Sequence, residues 1–190
     1  MPADIKWHFI GHLQSNKCKV VAAVPNLFVV ETVDSEKLAT QLQKACVTVG
    51  RAGRLRVLVQ VNTSGEESKF GCAPADAVAV ATYIVQRCPN LELAGLMTIG
   101  RLEAEPAPEC FDVLLQCRQR VSDALQISID SLELSMGMSG DLELACAMGS
   151  TNVRVGSAIF GHRDYGIKIK PESDDERPAD ESAAASSKSS

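Results

Sequence analysis

Aromatic residues are scarce, at 4% of 190 positions, so any core this chain builds is aliphatic. No apolar run approaches the roughly 18 residues that a membrane helix needs. The opening MPADIKWHF has neither the basic start nor the apolar stretch of a signal peptide. Seven cysteines (18, 46, 72, 88, 110, 117 and 146) include no C-x-x-C pair and no zinc-like spacing. An odd, scattered set lying mostly in apolar helical stretches reads as reduced core thiols of an intracellular protein, with no metal site. G-x-G-x-x-G, a P-loop lysine motif and a G-x-S-x-G elbow are all missing, which removes support for the usual nucleotide and hydrolase readings. Excess charge of one sign is missing from the body of the chain as well. The formal net charge is −5, but the stretch from Pro171 onward holds six acids against Arg177 and Lys188 and so carries −4 of it. A body near −1 excludes nonspecific nucleic-acid binding.

What is present is an alternation. Trp7–Ile10, Leu27–Val33, Leu55–Val61, Leu93–Ile99, Leu132–Met138 and Val153–Val155 read as six short apolar strands of the kind covered on both faces. Helical patterns separate them. Lys17–Ala23 is stopped by Pro25, with an N-cap expected at Ser15 or Asn16. Leu38, Ala39, Leu42, Ala45, Cys46 and Val49 form an amphipathic stripe behind an N-cap at Ser35. A third helix opens at Pro74 and buries Val78, Ala81, Ile84, Val85 and Cys88. Phe111, Leu114, Leu115, Arg118, Val121 and Leu125 trace a fourth. Polar clusters follow the first and third strands, at 12–17 and 62–69, where α/β proteins put function; both are equally compatible with plain βα loops. Strand–helix alternation predicts a parallel sheet with right-handed crossovers, which open doubly wound sheets and (β/α) barrels share. Domain organisation is one α/β unit over 1–170, including a short closing segment at 163–170, and a Ser-, Ala-, Asp- and Glu-rich tail over 171–190 that is expected to be disordered.

The most informative stretch is LELSMGMSGDLELACAMGSTNVRVGSAIFG, residues 132–161. It reads as strand, turn, short helix, turn and strand, with Asp141 and Glu143 in the helix's first turn, Leu142, Ala145 and Cys146 as its buried stripe, and Gly149 as its stop. Two small-residue turns, Ser139-Gly140 and Gly156-Ser157, then lie side by side at the C-terminal ends of adjacent strands. Exposed N–H groups there suit a phosphate, although such turns also occur with no ligand. Arg154 stands on a strand with almost no other charge, pointing inward as a ligand contact or outward as an ordinary ion-paired arginine.

Several motifs in order carry a resemblance: WHFIGHLQSNK (7–17), VDSEKLA (33–39), VLVQVNTSGEESKFG (57–71), LAGLMTIG (93–100), LSMGMSGDLELA (134–145) and GSTNVRVGSAIFGHRDY (149–165). Together they resemble the pyridoxal-phosphate homeostasis proteins, single-barrel relatives of the alanine racemase N-terminal domain. The resemblance implies a (β/α)8-type TIM barrel of which this chain holds six of the eight strands, with pyridoxal 5′-phosphate at the C-terminal face. It implies that Arg154 faces the pyridine nitrogen, that the backbone at Gly156 and Ser157 holds the phosphate, and that Ser139 donates a hydroxyl to it. It further implies a non-catalytic protein of intracellular pyridoxal-phosphate homeostasis, with pyridoxal-phosphate-dependent client enzymes as partners. No nucleic acid or membrane is expected, and the protein is expected to be a monomer or weak dimer. Cytoplasmic location is expected, with the mitochondrion as the alternative were the true N-terminus longer. Ile99 stands where the similar racemase motif has a histidine, which argues against racemase chemistry.

Two family segments have no counterpart here: a first strand carrying the Schiff-base lysine in a V-S-K-type context, and a second with a G-E-N-Y-type segment. Lys17 and Lys69 belong to other motifs. The expectation is therefore a chain without its covalent anchor, impaired in function, through a misplaced gene start, as a short isoform that is misfolded or completed by a partner, or with the remaining strands rearranged into an open sheet. Its edge strands, Trp7–Ile10 and Val153–Val155, are expected to be open, with inner aliphatic side chains meeting water. A pyridoxal-phosphate-dependent racemase-like enzyme and a truncated isoform acting as an interaction module are the alternatives.

Overall fold

The computed structural model describes residues 2, 4–66, 69–101 and 107–161. The expected closing segment at 163–170 and the tail at 171–190 lie outside the described residues. Six strands run in the order β1 Trp7–Phe9, β2 Leu27–Val33, β3 Leu55–Gln60, β4 Leu91–Met97, β5 Glu133–Met138 and β6 Asn152–Arg154. They lie side by side in sequence order and every pairing is parallel. Between them come α1 Cys18–Ala22, α2 Glu36–Thr48, α3 Ala77–Arg87, α4 Pro108–Leu125 and α5 Leu142–Ala147, and a last turn, α6 Ser157–Phe160, follows β6. Strict sequence order with a helix in each crossover is the wiring of a (β/α) barrel rather than of a doubly wound sheet, whose order reverses.

Alternation along the strands sorts the two faces. Leu55, Val57 and Val59 on β3 join Leu38, Leu42, Ala81, Ile84, Phe111 and Leu114 in one large cluster between sheet and helices. On the opposite face Val29, Leu58, Ala94 and Met97 form a much smaller cluster, with Phe28 and Ile99 packed against it.

The inner face is therefore not the aliphatic surface expected from the strand pattern. Polar side chains share it with that small cluster. Arg56 donates to Glu133 Oε1 at 2.7 Å and lies 4.7 Å from the centre of the Phe28 ring. Glu31 on β2 accepts from Ser135 Oγ on β5 at 2.5 Å. With β3 and β4 between them in the sheet, that contact exists only because the sheet curls. At the same level Asn152 Nδ2 on β6 lies 3.5 Å from His8 Nδ1 on β1, so side chains bring the two sheet edges together. The sheet is a curled arc of a barrel.

Local features follow the chain's punctuation. Ser35 caps α2, its Oγ accepting from the Leu38 N–H at 3.3 Å. Pro74 opens the turn of 3₁₀ helix before α3, and Gly149 sits just past α5 at φ +89°. Gly137 at φ +93° has no room for a side chain, because a Cβ there would strike the Cβ of Ala145; its absence is what seats α5 on β5. Other expectations shift. No side chain caps the turn at Ser15–Lys17. Asp141 stands just before α5 rather than in its first turn, and its side chain turns back to accept from the Met138 N–H at 2.6 Å. Of the expected α5 stripe only Ala145 is buried, and Cys146 is exposed. Val85 is exposed as well, since α3 buries Ala77, Val80, Ala81 and Ile84 instead.

Candidate functional site

The site is built where β5 and β6 end. The Met138–Asp141 turn, closed by the Asp141 carboxylate, sets Ser139 facing the start of α6. Its Oγ accepts from the backbone N–H of Gly156 at 3.1 Å and of Ala158 at 3.3 Å. Two donors converging on one oxygen mark a point where lone pairs are favoured. The expected side-by-side placement of the two turns is thus observed, with Ala158 as a donor that the sequence reading missed. Ser157 begins α6 and is exposed.

Arg154, at the end of β6, points inward. Its Nη1 donates to Ser135 Oγ at 2.9 Å and its Nη2 to the Thr98 carbonyl at 2.8 Å. Burial pushes the guanidinium below the ordinary arginine range, and the negative charges of Glu31 and Asp141 oppose that shift. A cleft of about 380 Å³ opens beside it along the line where the sheet edges meet. His8, Ile10, Glu31 and residues 152–156 line it.

Behind Arg154 lies a network that the sequence reading did not single out. Glu31 is fully buried. Its Oε2 accepts from Ser135 Oγ at 2.5 Å, and its Oε1 accepts from Asn152 Nδ2 at 3.1 Å and is hydrogen-bonded to His8 Nδ1 at 2.6 Å. The available signal was Glu31 itself, a lone carboxylate inside the apolar strand LFVVETV, where an acid survives only with dedicated partners. Thr98 Oγ1 donates to the Val61 carbonyl at 3.0 Å and so ties the ends of β3 and β4 together. The polar clusters after β1 and β3 meet at the rim: His12 stacks on Phe70 at 4.0 Å between ring centres, and Lys69 Nζ donates to Glu66 Oε1 and to the Gly100 carbonyl at 2.7 and 3.0 Å. Among the described residues no group of acids, histidines and cysteines is arranged to hold a metal ion, and no helix is long and apolar enough to cross a membrane.

Known proteins share much of this sequence and this fold. The family described as alanine racemase, N-terminal domain, matches residues 5–164. The human pyridoxal phosphate homeostasis protein is 51% identical over 173 residues, covering 89% of this chain and 62% of its own length. The Caenorhabditis elegans protein of the same name is 46% identical, over 85% of this chain and 68% of its own. This chain thus spans about 62% of the human relative's length. Among solved structures, PipY of Synechococcus elongatus with pyridoxal phosphate bound superposes with a TM-score of 0.66 at 34% identity, over 83% of this chain and 71% of that one. The relatives' names describe homeostasis rather than catalysis. The chain belongs to the alanine racemase N-terminal domain family, and within it to the pyridoxal phosphate homeostasis proteins.

Proposed function

We propose that this protein holds pyridoxal 5′-phosphate at the C-terminal rim of the sheet and serves its homeostasis without catalysing a reaction. The observation that carries this reading is the placement of two complementary donor sets at one rim. The converging N–H groups of Gly156 and Ala158 suit a phosphate oxygen, and the inward Arg154 guanidinium lies beside the adjoining cleft. Bound pyridoxal phosphate supplies an electrophilic aldehyde and an electron-withdrawing ring.

The chain's own residues would restrain that chemistry. A guanidinium only donates, so a ring nitrogen opposite Arg154 accepts and carries no proton, which weakens the ring as an electron sink. The backbone of Gly156 and Ser157, with the Ser139 hydroxyl, would hold the phosphate. Ile99, packed against Val29, Leu58, Ala94 and Met97, has no proton to exchange. Lys69 is engaged with Glu66 and Gly100. No lysine within this sequence matches the family's Schiff-base motif. Pyridoxal-phosphate-dependent enzymes that accept the cofactor are the corresponding partners, and the cytoplasm is the corresponding compartment.

Titration of the chain with pyridoxal phosphate, followed by absorbance and then borohydride reduction with intact mass, tests this. A saturable spectral change is expected, and the reduction shows whether a lysine of this sequence is attached. Arg154→Ala is expected to weaken binding by roughly tenfold or more, the scale of one lost charge-assisted hydrogen bond. Absence of saturable binding, an Arg154→Ala titration identical to the parent's, or turnover of alanine enantiomers would overturn the reading.

A further inference from the structure

Glu31 is the most deeply buried carboxylate of the site: Ser135 Oγ at 2.5 Å and Asn152 Nδ2 at 3.1 Å donate to it, and His8 Nδ1 is hydrogen-bonded to it at 2.6 Å. Ser135 is also fully buried and has a single proton to give. Because that proton goes to Glu31, the Ser135 oxygen turns its lone pairs to Arg154 Nη1, 2.9 Å away. The orientation of a buried hydroxyl thus passes from β2 through β5 to β6. Nη2 is held separately by the Thr98 carbonyl, so both ends of the guanidinium fork are fixed, and its plane with them. Burial alone disfavours the guanidinium's charge, and Glu31 is the first of the opposing charges.

On the reading above, in which Arg154 meets a ring nitrogen, the geometry points to Glu31 as the positioning residue of the site: through Ser135 it fixes the plane of the Arg154 guanidinium and supplies its counter-charge before any cofactor arrives. Ser135 is the link, and His8 and Asn152 hold the carboxylate in place. The hydrogen-bonded route from Glu31 to Arg154 runs through the Ser135 hydroxyl, and the Glu31 charge acts on the guanidinium across the space between them. Pre-organisation of this kind sets affinity by removing the cost of ordering a long side chain on binding.

Glu31→Gln is the decisive variant. Its amide keeps one acceptor oxygen where the carboxylate offered two, so either Ser135 loses its acceptor and turns its proton, or an amide N–H is set against the Asn152 N–H. Two readouts on the full chain separate this inference from the cofactor reading. The first needs no ligand: nitrogen-15 NMR of the Arg154 side chain, assigned by its loss in Arg154→Lys. Resolved, slowly exchanging Nη signals are expected in the parent and collapsed, fast-exchanging ones in Glu31→Gln. The second is the pyridoxal-phosphate titration, where affinity is expected to fall roughly tenfold to a hundredfold with a shifted absorbance maximum. Ser135→Ala removes the link while leaving Glu31 its other two partners, and is expected to loosen the Arg154 signals in the same way; it decides the matter if Glu31→Gln does not fold. Arg154 signals unchanged in these variants would overturn the role of Glu31 whether or not the cofactor binds. A parent chain that fails to bind pyridoxal phosphate would overturn the cofactor reading and leave the NMR result standing.

Discussion

Cys72 lies in the apolar layer between sheet and helices, and its surroundings push the thiol from an ordinary 9.0 up to about 12, chiefly because burial disfavours the thiolate and then because Cys117 and two acids add negative charge nearby. Burial raises Cys18, Cys46, Cys88 and Cys117 in the same direction. In the unfolded chain each thiol loses its proton near 9.0, whereas folded Cys72 keeps it to about 12. Its contribution to stability is therefore complete below pH 9.0 and is lost as the pH rises towards about 12. Stability is expected to fall in that window by up to about 1.4 kcal/mol per pH unit through Cys72, read from denaturant midpoints; a flat profile from pH 9.0 to about 12 would contradict it. In the native protein at neutral pH, alkylation is expected to mark Cys146 first, the one exposed cysteine among seven, with all the others reacting only after unfolding. Core thiols were legible in the sequence because the surrounding apolar period was. Cys146 was not, because a helix as short as α5 offers too few turns to tell its buried side from its outer one. Site residues divide in the same way. Arg154, Ser139, Gly156 and Ser157 stand in motifs at strand ends. Glu31 and Ser135 are singletons inside strands, and only the curl of the sheet makes them neighbours.

At the scale of the element, β5, its turn and α5 act as one unit. Met138 and Asp141 close the turn, Gly137 lets α5 sit against the strand, and Ser139 emerges between them to meet the N–H groups of β6's successor turn. Gly137→Val is expected to cost about 2–4 kcal/mol, since the side chain both meets Ala145 and must adopt a left-handed backbone. It is also expected to displace Ser139, so that any pyridoxal-phosphate affinity falls by more than the stability loss explains. A variant with near-parent stability and parent affinity would show that α5 does not set the turn. The sequence placed this unit and its glycines, but it assigned Asp141 to the helix dipole. The carboxylate instead serves the turn before the helix, a choice between two nearby N–H groups that spacing does not resolve. Strand bounds moved for a related reason. The pattern put the fourth and sixth strands at 93–99 and 153–155, whereas β4 and β6 span Leu91–Met97 and Asn152–Arg154, because ladder pairing with neighbours and not hydropathy sets where a strand ends.

For the whole molecule, parallel order was legible from the alternation of strands and helices, whereas curvature was legible only through the family resemblance: hydropathy describes the helix-facing side of each strand, and the curl is written on the other side. There the polar inner side chains do the joining. The edges β1 and β6 are held near each other by His8 and Asn152 meeting at Glu31, side chain to side chain. Trp7, the single tryptophan of the chain, sits on β1 at 36% exposure beside this junction and reports on it. Asn152→Ala removes a donor to a buried carboxylate, which is expected to cost about 1.5–3 kcal/mol and to let the β1 edge move away from β6. Native tryptophan emission should then shift towards that of free indole in water while the denaturant slope stays unchanged, since the outer core between sheet and helices is untouched. His8→Ala is expected to shift emission in the same direction, and the double variant to add little, because both residues act through one carboxylate. Strict additivity of the two, or emission indifferent to both, would mean that backbone twist alone curls the sheet and that the inner polar side chains merely occupy the space it leaves.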